Sequence, residues 1–371
     1  MTLAPTGSEP RVLRADAWRV AAVGQRRASA PCSDMRGWLP RIGLPAPSPQ
    51  VAVPGRMSAT PFGSTGAPRS RGRAGSGLPV RRRARPWRPV LAAAMLACLF
   101  ALLAACRSVQ PAAPPLRVMT LNVRLPLLSD GPHRWQFRRD AMAALIRDAA
   151  PDVLATQELM LAQGDDLAAR LPGYAWFGVG RRGGSQDEHM GVFYRRDTLR
   201  LLDSGHYWLS ETPQVPGSIS WGHPYPRMVS WGLFERRADG LRFHLSNTHL
   251  PYRPQDGDAR LRAAALILER LGPAAGPPVL VLGDFNDAPG SAVHRRLTAV
   301  LDDAWERTPR RDGPSGTFHG FSGTPGDRID WVLSRGLRVR SARTLDQPVE
   351  GRPVSDHFPV LVEFDPMPGA R

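Results

Sequence analysis

The sequence predicts an α/β fold of the α+β type, in which the sheets mix parallel and antiparallel strands. Short segments with strand-like hydropathy alternate with two substantial amphipathic segments, at 134–150 and 256–272. Close pairs of strand segments, at 187–210 and 228–249, are typical of antiparallel hairpins. The sequence contains no internal repeat and no P-loop motif. These observations argue against an all-parallel, doubly wound sheet.

The predicted strands are apolar runs or segments in which apolar and polar residues alternate. In chain order they cover 116–123, 152–158, 174–178, 188–194, 228–234, 242–250, 279–284, 328–333 and a last segment that ends at 364. The run 279–282 is wholly apolar, and Gly283 then frees the backbone before Asp284 and Asn286. We expect this run to be a buried strand around which the other strands are arranged, with 174–178 at a sheet edge.

Helices are predicted where apolar residues recur on one face of a 3.6-residue period. In the segment 134–150 this face consists of Met142, Leu145, Ile146 and Ala149, and Pro151 ends the helix. The segment 256–272 has the same pattern, and shorter helices are predicted over 161–171 and 291–300. The intervening segment 203–226 is rich in aromatic residues, so it is predicted to be a loop that either packs on the core or lines a substrate cleft.

The formal net charge of +16 is concentrated in the first third of the chain. Residues 1–115 contain 17 arginines and 3 acidic residues, a net charge of +14, whereas residues 116–371 contain 32 arginines and 30 acidic residues, a net of +2. The folded part therefore lacks the basic excess typical of strong nucleic-acid binding. The three cysteines, Cys32, Cys98 and Cys106, all precede residue 116, which excludes thiol catalysis and thiolate metal sites there.

Residues 1–79 are rich in Pro, Gly, Ser and Arg, show no apolar periodicity and are predicted to be disordered. A basic run, 81–85, and an apolar run, 90–105, follow with the order of a signal peptide, although such a pair belongs near a chain start. Our hypothesis is that translation starts at Met57 or Val80, so that residues 1–79 are wholly or largely untranslated. Detection of residues 1–56 in the precursor by N-terminal mapping would contradict this hypothesis.

The apolar run is about 16 residues long, shorter than the roughly 20 residues of a spanning helix. It ends in Leu103-Ala-Ala-Cys106, which resembles a bacterial lipobox. This resemblance implies that residues 80–105 are a lipoprotein signal peptide, that Cys106 is lipidated and that 106–115 is a tether. Arg107 then implies anchoring in the outer membrane, facing the periplasm or the exterior. The alternative is an ordinary signal peptide or anchor that contains a cysteine.

Polar side chains stand at the ends of at least five predicted strands. They are Asn122, Glu158, His249, Asp284 with Asn286, and Asp356 with His357. Their recurrence at strand ends indicates a shared rim where acids, amides and imidazoles meet. Oxygen ligands without cysteine suit Mg²⁺ or Mn²⁺, and histidines suit proton transfer and phosphate binding. Metal-assisted phosphoester hydrolysis is the chemistry that this set fits best.

Six motifs share the order seen in the endonuclease/exonuclease/phosphatase superfamily, which the sequence resembles over about residues 116–366. They are Thr120-Leu-Asn-Val123, Gln157-Glu158, Asn247-Thr-His-Leu250, Gly283-Asp-Phe-Asn286, Ile329-Asp-Trp331 and Ser355-Asp-His357. The resemblance implies a four-layer α-β-β-α sandwich of two mixed sheets flanked by helices, with residues 367–371 as a tail. The segment Tyr207–Pro213, with Gly217, Ser218, Trp221 and Arg227, resembles a bacterial branch related to deadenylases and nocturnin.

The resemblance also implies the metal and water sites. Glu158 would be the principal Mg²⁺ or Mn²⁺ ligand, with Asn122 and Asp356 beside it, directly or through water. Asp284 and Asn286 would orient or deprotonate the attacking water and hold the phosphate. The number of metal ions stays open.

The resemblance also implies roles for the residues that would surround the phosphate. His357, oriented by Asp330, would stabilise the transition state or transfer a proton. His249 would lie on the other side of the phosphate with Glu188 as its carboxylate partner. Arg227 would neutralise a phosphate oxygen. Which group is the general base and which is the acid stays open.

The sequence leaves the substrate of this predicted hydrolase open. Nucleic acid, phospholipid, nucleotide and small phosphorylated metabolite are the alternatives, and the near-neutral domain favours the small molecules. We expect a monomer. The alternative function is a catalytically silent binding lipoprotein on the same fold.

Overall fold

The computed structural model describes residues 113–366. The predicted disordered segment 1–79, the signal peptide 80–105 with its lipidated Cys106, most of the tether and the tail 367–371 lie outside the described residues. In the part that is described, no helix is long and apolar enough to cross a membrane. The last residues of the predicted tether are described, and the Pro114 carbonyl accepts a 2.8 Å hydrogen bond from the buried Arg236 guanidinium.

Thirteen strands and five helices make up this domain. The strands are β1 (Leu116–Asn122), β2 (Val153–Leu159), β3 (Tyr174–Phe177), β4 (His189–Arg195), β5 (Leu199–Trp208), β6 (Met228–Arg236), β7 (Arg242–His249), β8 (Val279–Asp284), β9 (Asp302–Asp303), β10 (Arg311–Asp312), β11 (Asp330–Arg335), β12 (Leu337–Thr344) and β13 (Val360–Pro366). The helices are α1 (Trp135–Ala149), α2 (Leu161–Arg170), α3 (Gly257–Glu269), α4 (Ala292–Thr298) and α5 (Ala304–Arg307), with 3-10 turns at Leu128–His133 and Pro254–Asp256.

The strands form two mixed sheets. The larger sheet has the order β10-β12-β13-β1-β2-β4-β3, and the smaller sheet has the order β5-β6-β7-β8-β11-β9. At the centre of the larger sheet β1 is parallel to β2 and antiparallel to β13. The smaller sheet repeats this arrangement, because β8 is parallel to β7 and antiparallel to β11. The predicted mixture of strand directions is confirmed, as is the edge position of β3.

Alternation along the central strands separates an inner core from two outer ones. In β8, Leu280 and Leu282 belong to the cluster between the sheets, whereas Val279 and Val281 pack against α3. In β1, Val118 faces the other sheet. The residue next to it, Met119, packs with α1 on the outside of the larger sheet. Successive strand residues point to opposite faces, so the predicted four-layer α-β-β-α sandwich is confirmed.

Two local predictions were wrong. The segment 187–210 is not a hairpin, because β4 pairs with β2 and β3 in the larger sheet while β5 pairs with β6 in the smaller one. The predicted loop 203–226 begins as part of β5, which extends to Trp208. Sequence proximity suggested a hairpin here, but the chain instead crosses from one sheet to the other.

Candidate active site

Strand register brings the predicted polar strand ends together. Asn122 pairs with Gln157 across β1 and β2, and Asp284 pairs with both His249 and Asp330 in the smaller sheet. The ends of the two central strand groups meet across the sandwich. There the Asn122 Nδ2 atom donates to Glu158 Oε1 and to Asp284 Oδ2, each at 3.1 Å.

The backbone is held in the left-handed region at two of these positions. Glu158 has φ +56° and lies where the β2–β4 register shifts between Thr156 and Leu159. Asn286 has φ +49°. Such conformations cost free energy for residues other than glycine, and they concentrate at functional sites. The irregular strand end turns the Glu158 carboxylate towards Asn122 and the Leu125 amide, which donates to Glu158 Oε2 at 3.0 Å.

His357 and Asp330 form a buried pair. The Nδ1 atom of His357 lies 2.9 Å from Asp330 Oδ2, and its Nε2 atom lies 3.9 Å from Asp284 Oδ2. Burial alone would lower the pKa of His357, but the Asp330 carboxylate and its hydrogen bond raise that pKa to about 10. His357 is therefore a protonated imidazole at neutral pH, and Asp330 orients it.

Asp284 lies between the two histidines. Its Oδ2 atom is 3.5 Å from His249 Nε2 and 3.9 Å from His357 Nε2. Burial, reinforced by the Asp330 carboxylate, raises the pKa of Asp284 to about 7. A carboxyl group with this pKa can exchange a proton near neutral pH.

His249 and Glu188 face each other without a hydrogen bond. The distance from His249 Nδ1 to Glu188 Oε2 is 3.9 Å, and both atoms lack hydrogen-bond partners within residues 113–366. Burial and the nearby Arg227 and Arg181 guanidinium groups lower the pKa of His249 well below its usual value, so this imidazole is neutral. Burial raises the pKa of Glu188 to about 7, although Arg181 and Arg227 oppose that increase.

Two arginines are buried on this side of the site. Arg227 is 4% exposed, and its Nη1 atom has no hydrogen-bond partner in the described part of the chain. Burial lowers its pKa. Arg181, which sequence reasoning did not identify, binds Glu188 Oε1 at 2.9 Å through Nη2. An incompletely paired buried cation is costly, so an anion in contact with Arg227 would offset this cost.

Asp356 is held by two neighbours of Asn122. Ser355 Oγ, which donates to the Asn122 carbonyl at 2.6 Å, lies 3.2 Å from Asp356 Oδ1, and Arg124 Nη1 lies 3.3 Å from Asp356 Oδ2. The Asn122 Oδ1 atom accepts from the Arg124 amide at 3.0 Å. Arg124 was also not identified from the sequence, although it directly follows the strand-end motif.

The acidic groups fit a hard divalent cation. Glu158 is half-buried and its two oxygens each accept a single hydrogen bond, so both keep a lone pair for a cation. Asp356 adds a second carboxylate near Arg124, whose charge interacts with both acids. Asn122 presents its Nδ2 atom to the Glu158 and Asp284 carboxylates and its Oδ1 atom to the Arg124 amide. An all-oxygen set of this kind suits Mg²⁺ or Mn²⁺.

Two asparagines of the motifs, Asn286 and Asn247, form hydrogen bonds that hold neighbouring groups in place. Asn286 donates from Nδ2 to the Leu250 carbonyl at 3.0 Å, and its amide donates to Asp284 Oδ1 at 2.9 Å. Asn286 thus fixes the Asp284 carboxylate in place. Asn247 accepts from Gln157 Nε2 at 2.8 Å, which is a hydrogen bond between the two sheets.

A second acidic cluster is structural. His294 Nε2 lies 2.9 Å from Asp303 Oδ2, and Glu306 is the third possible ligand in this cluster. The Arg328 guanidinium pairs with Asp303 at 2.8 Å and with Glu306 at 3.1 Å. Because an arginine already neutralises both acids, this cluster does not need a metal ion.

The aromatic residues between 203 and 226 divide between the two predicted roles. Tyr207 and Trp208 are buried in hydrophobic clusters, and Trp221 packs partly against the core. Tyr225 is exposed and lies near Tyr252, with ring centroids 6.5 Å apart. Two of these four rings therefore belong to the core, and the exposed Tyr225 ring lies with its centroid 4.8 Å from the Arg181 guanidinium carbon.

A family model described as Endonuclease/Exonuclease/phosphatase family matches residues 119–357. Among solved structures, an endonuclease/exonuclease/phosphatase from Bacteroides vulgatus is 31% identical, with a TM-score of 0.66, covering 69% of this chain and 100% of that one. A mannosyl-6-phosphatase from Bacteroides thetaiotaomicron is 33% identical, with a TM-score of 0.63, covering 67% of this chain and 99% of that one.

Two more distant relatives are also similar to the chain, one in fold and one in sequence. The human nocturnin catalytic domain shares the fold at 21% identity and a TM-score of 0.56, covering 70% of this chain and 96% of that one. The CCR4-Not complex 3'-5'-exoribonuclease subunit Ccr4 from Aspergillus niger is 24% identical over 240 residues, which are 50% of this chain and 36% of that protein. The match thus spans about a third of that relative. The six motifs all lie within the matched region, and the chain belongs to the endonuclease/exonuclease/phosphatase family and is a hydrolase of phosphoester bonds.

Proposed function

We propose that this protein is a metal-dependent phosphomonoesterase that releases inorganic phosphate from a small phosphorylated metabolite. The observation that carries the proposal is the pair of imidazoles on Asp284. His249 Nε2 and His357 Nε2 lie 3.5 and 3.9 Å from the same Asp284 oxygen, one imidazole neutral and the other protonated. Together with Arg227, they supply N–H donors for the oxygens of one phosphoryl group.

In the reaction, Asp284 accepts a proton from the attacking water. The water oxygen forms a bond to phosphorus, the bond from phosphorus to the leaving oxygen breaks, and that oxygen takes a proton from solvent. Asn286 holds the Asp284 carboxylate through its amide, which keeps the base in position. The pKa of Asp284, raised to about 7 by burial and Asp330, suits a general base.

The remaining groups stabilise negative charge. His357 donates to a phosphoryl oxygen while Asp330 keeps it protonated and oriented. His249 donates to a second oxygen, and Arg227 pairs with the phosphate through its Nη1 atom, which has no hydrogen-bond partner among residues 113–366. A Mg²⁺ or Mn²⁺ ion held by Glu158, Asp356 and Asn122 would neutralise charge on the phosphate and on the leaving oxygen.

Two observations favour a small monoester. The domain from residue 116 onward has a net charge of only +2, so it offers little electrostatic attraction to a nucleic-acid backbone. One relative at 33% identity is a mannosyl-6-phosphatase.

We further propose that the enzyme is a monomer anchored to the bacterial envelope through lipidated Cys106. Incorporation of a labelled fatty acid into a Cys106→Ala variant would contradict the anchor.

The test compares substrate classes on the purified full-length chain. A hexose 6-phosphate, an aryl monoester, an aryl diester, DNA and sphingomyelin are each assayed with Mg²⁺ and with EDTA. We expect phosphate release from the monoesters, its loss in EDTA, and a loss of at least about a hundredfold in Asp284→Asn and His357→Ala. The control is Asp258→Asn, which changes an exposed ion pair with Arg262.

Other results would replace or contradict the phosphomonoesterase proposal. Faster cleavage of the diester, DNA or sphingomyelin would replace the monoester proposal with that substrate class. Activity that survives EDTA or both site variants would contradict the mechanism. Binding of phosphate esters without turnover in any arm would favour a silent binding protein.

A further inference from the structure

Phe318 exposes an aromatic ring next to the proposed phosphate site. Its side chain is 40% exposed, and its ring centroid lies 5.0 Å from that of His357 in an edge-to-face arrangement. Most aromatic rings in the described chain are buried or half-buried; the exposed ones are Phe137, Tyr225, Tyr252 and Phe318. Of these four, Phe318 is the ring that contacts a proposed catalytic side chain.

The backbone around Phe318 is fixed by several hydrogen bonds. Phe318 forms an isolated antiparallel bridge with His357, and its amide donates to the Asp327 carbonyl at 3.1 Å. The Gly326 amide donates to the Phe318 carbonyl at 2.8 Å, and a Cβ atom on Gly326 would lie 2.9 Å from that carbonyl oxygen. The exposed ring is therefore carried by an ordered segment with a defined position relative to His357.

The same loop borders a surface concavity. Phe321, three residues after Phe318, stacks on His133 with ring centroids 4.5 Å apart. His133 lines a concavity of about 360 Å³ together with Phe137, Arg138 and Arg352. None of the residues that line this concavity belongs to the proposed phosphate site. The aromatic ring beside His357 is therefore supplied by Phe318 and not by the concavity.

We propose that Phe318 is a specificity-determining residue that binds the flat face of a ring in the leaving group. The inference rests on the proposed phosphomonoesterase activity. The phosphoryl group contacts His357, His249 and Arg227, and the ring attached to it packs on the exposed face of Phe318. A sugar ring, through its C–H groups, and a nucleobase, through its π face, share this chemistry.

The test measures the ratio of kcat/KM for ring-bearing and ring-free monoesters in the full-length chain with Mg²⁺. The substrates are a hexose 6-phosphate, a nucleoside 5'-monophosphate and glycerol phosphate. We expect Phe318→Ala to lower kcat/KM about tenfold for a ring-bearing substrate, mainly by raising KM, and less than about twofold for glycerol phosphate. Phe318→Tyr is expected to keep the ratio of the native protein. The matched control, Phe137→Ala, changes an equally exposed ring that lies near the Arg134 guanidinium.

Comparison of the two ring-bearing substrates shows whether Phe318 binds a sugar ring or a nucleobase, because only the substrate whose ring packs on Phe318 should bind more weakly to Phe318→Ala. An equal loss for glycerol phosphate would assign Phe318 to support of His357 and overturn the specificity proposal. An unchanged ratio would also overturn it. If the native protein hydrolyses none of these monoesters, the proposed function fails. Calorimetric binding of the hexose phosphate to native protein and Phe318→Ala then tests the ring contact separately, and equal affinities would overturn it.

Discussion

At the scale of single residues, Asp330 controls the charge of two neighbours. Its carboxylate raises the pKa of His357 to about 10, against the opposing effect of burial, and adds to burial in raising the pKa of Asp284 to about 7. In the proposed mechanism Asp284 must be ionised and His357 protonated. Activity should therefore rise as the pH passes the Asp284 pKa and fall as it passes the His357 pKa.

Replacing Asp330 by Asn removes the negative charge and leaves a side chain of the same shape. Both pKa values should fall, so both limbs of the pH–rate profile should move to lower pH by about one unit or more. We also expect kcat to decrease at every pH by at least about a hundredfold, because the imidazole loses its orienting carboxylate. The measurement is kcat against pH at fixed Mg²⁺, with Asp258→Asn as the control. Limbs that stay in place would show that Asp330 does not set these charges.

At the scale of strands and loops, Gly283 permits the close contact of β7 and β8 at the site. It has φ +145°, and a Cβ atom there would lie 1.9 Å from the Thr248 carbonyl oxygen. Gly283→Ala should therefore lower the free energy of unfolding by more than about 3 kcal/mol or prevent folding, through strain and backbone displacement. Gly240→Ala is the matched control, because Gly240 also has positive φ (+73°) but, in the described part of the chain, no neighbouring atom within 4 Å of its Cβ position.

Gly240→Ala should lower the free energy of unfolding by only about 1 kcal/mol, because the alanine is strained by the backbone conformation alone. Urea denaturation of the full-length chain, followed by tryptophan fluorescence, measures both variants. Equal losses would indicate that backbone conformation, and not the contact with Thr248, requires glycine at position 283.

At this scale, some strands, helices and site residues could be predicted from the sequence and others could not. Periodicity identified α1, and apolar or alternating runs identified β1 and β8. Strand-end motifs predicted Glu158, Asp284 and His357, whose side chains are linked through Asn122 and Asp284 in the structure. β12 escaped prediction because a β-bulge between Val339 and Ser341 interrupts the alternation that begins at Leu337. Arg181 and Phe318 escaped it because their roles depend on loops that only the tertiary fold brings to His249 and His357.

At the scale of the whole molecule, a buried amide network joins the two sheets behind the site. Gln157 Nε2 donates to Asn247 Oδ1 at 2.8 Å, and Asn247 Nδ2 donates to the carbonyls of Thr156 and Gly191, each at 2.9 Å. Gln157 precedes Glu158, and Asn247 lies two residues before His249. The network therefore fixes the position of the proposed metal ligand relative to one of the phosphate-binding imidazoles.

Asn247→Leu should disrupt both the stability and the alignment of the sheets. The substitution removes an acceptor for the Gln157 amide and a donor for two buried carbonyls, so we expect a loss of about 3 kcal/mol or more. In Gln157→Leu the Asn247 Nδ2 bonds remain, and the loss should be smaller. The double variant should cost less than the sum of the two, because the interaction between the sheets can be lost only once. Strict additivity in urea denaturation would contradict this coupling. If the network also aligns the site, kcat of folded Asn247→Leu should fall. A control substitution of similar cost in the outer core, Ile146→Ala, should leave kcat unchanged, because this side chain lies on α1 and packs on the outer face of the larger sheet.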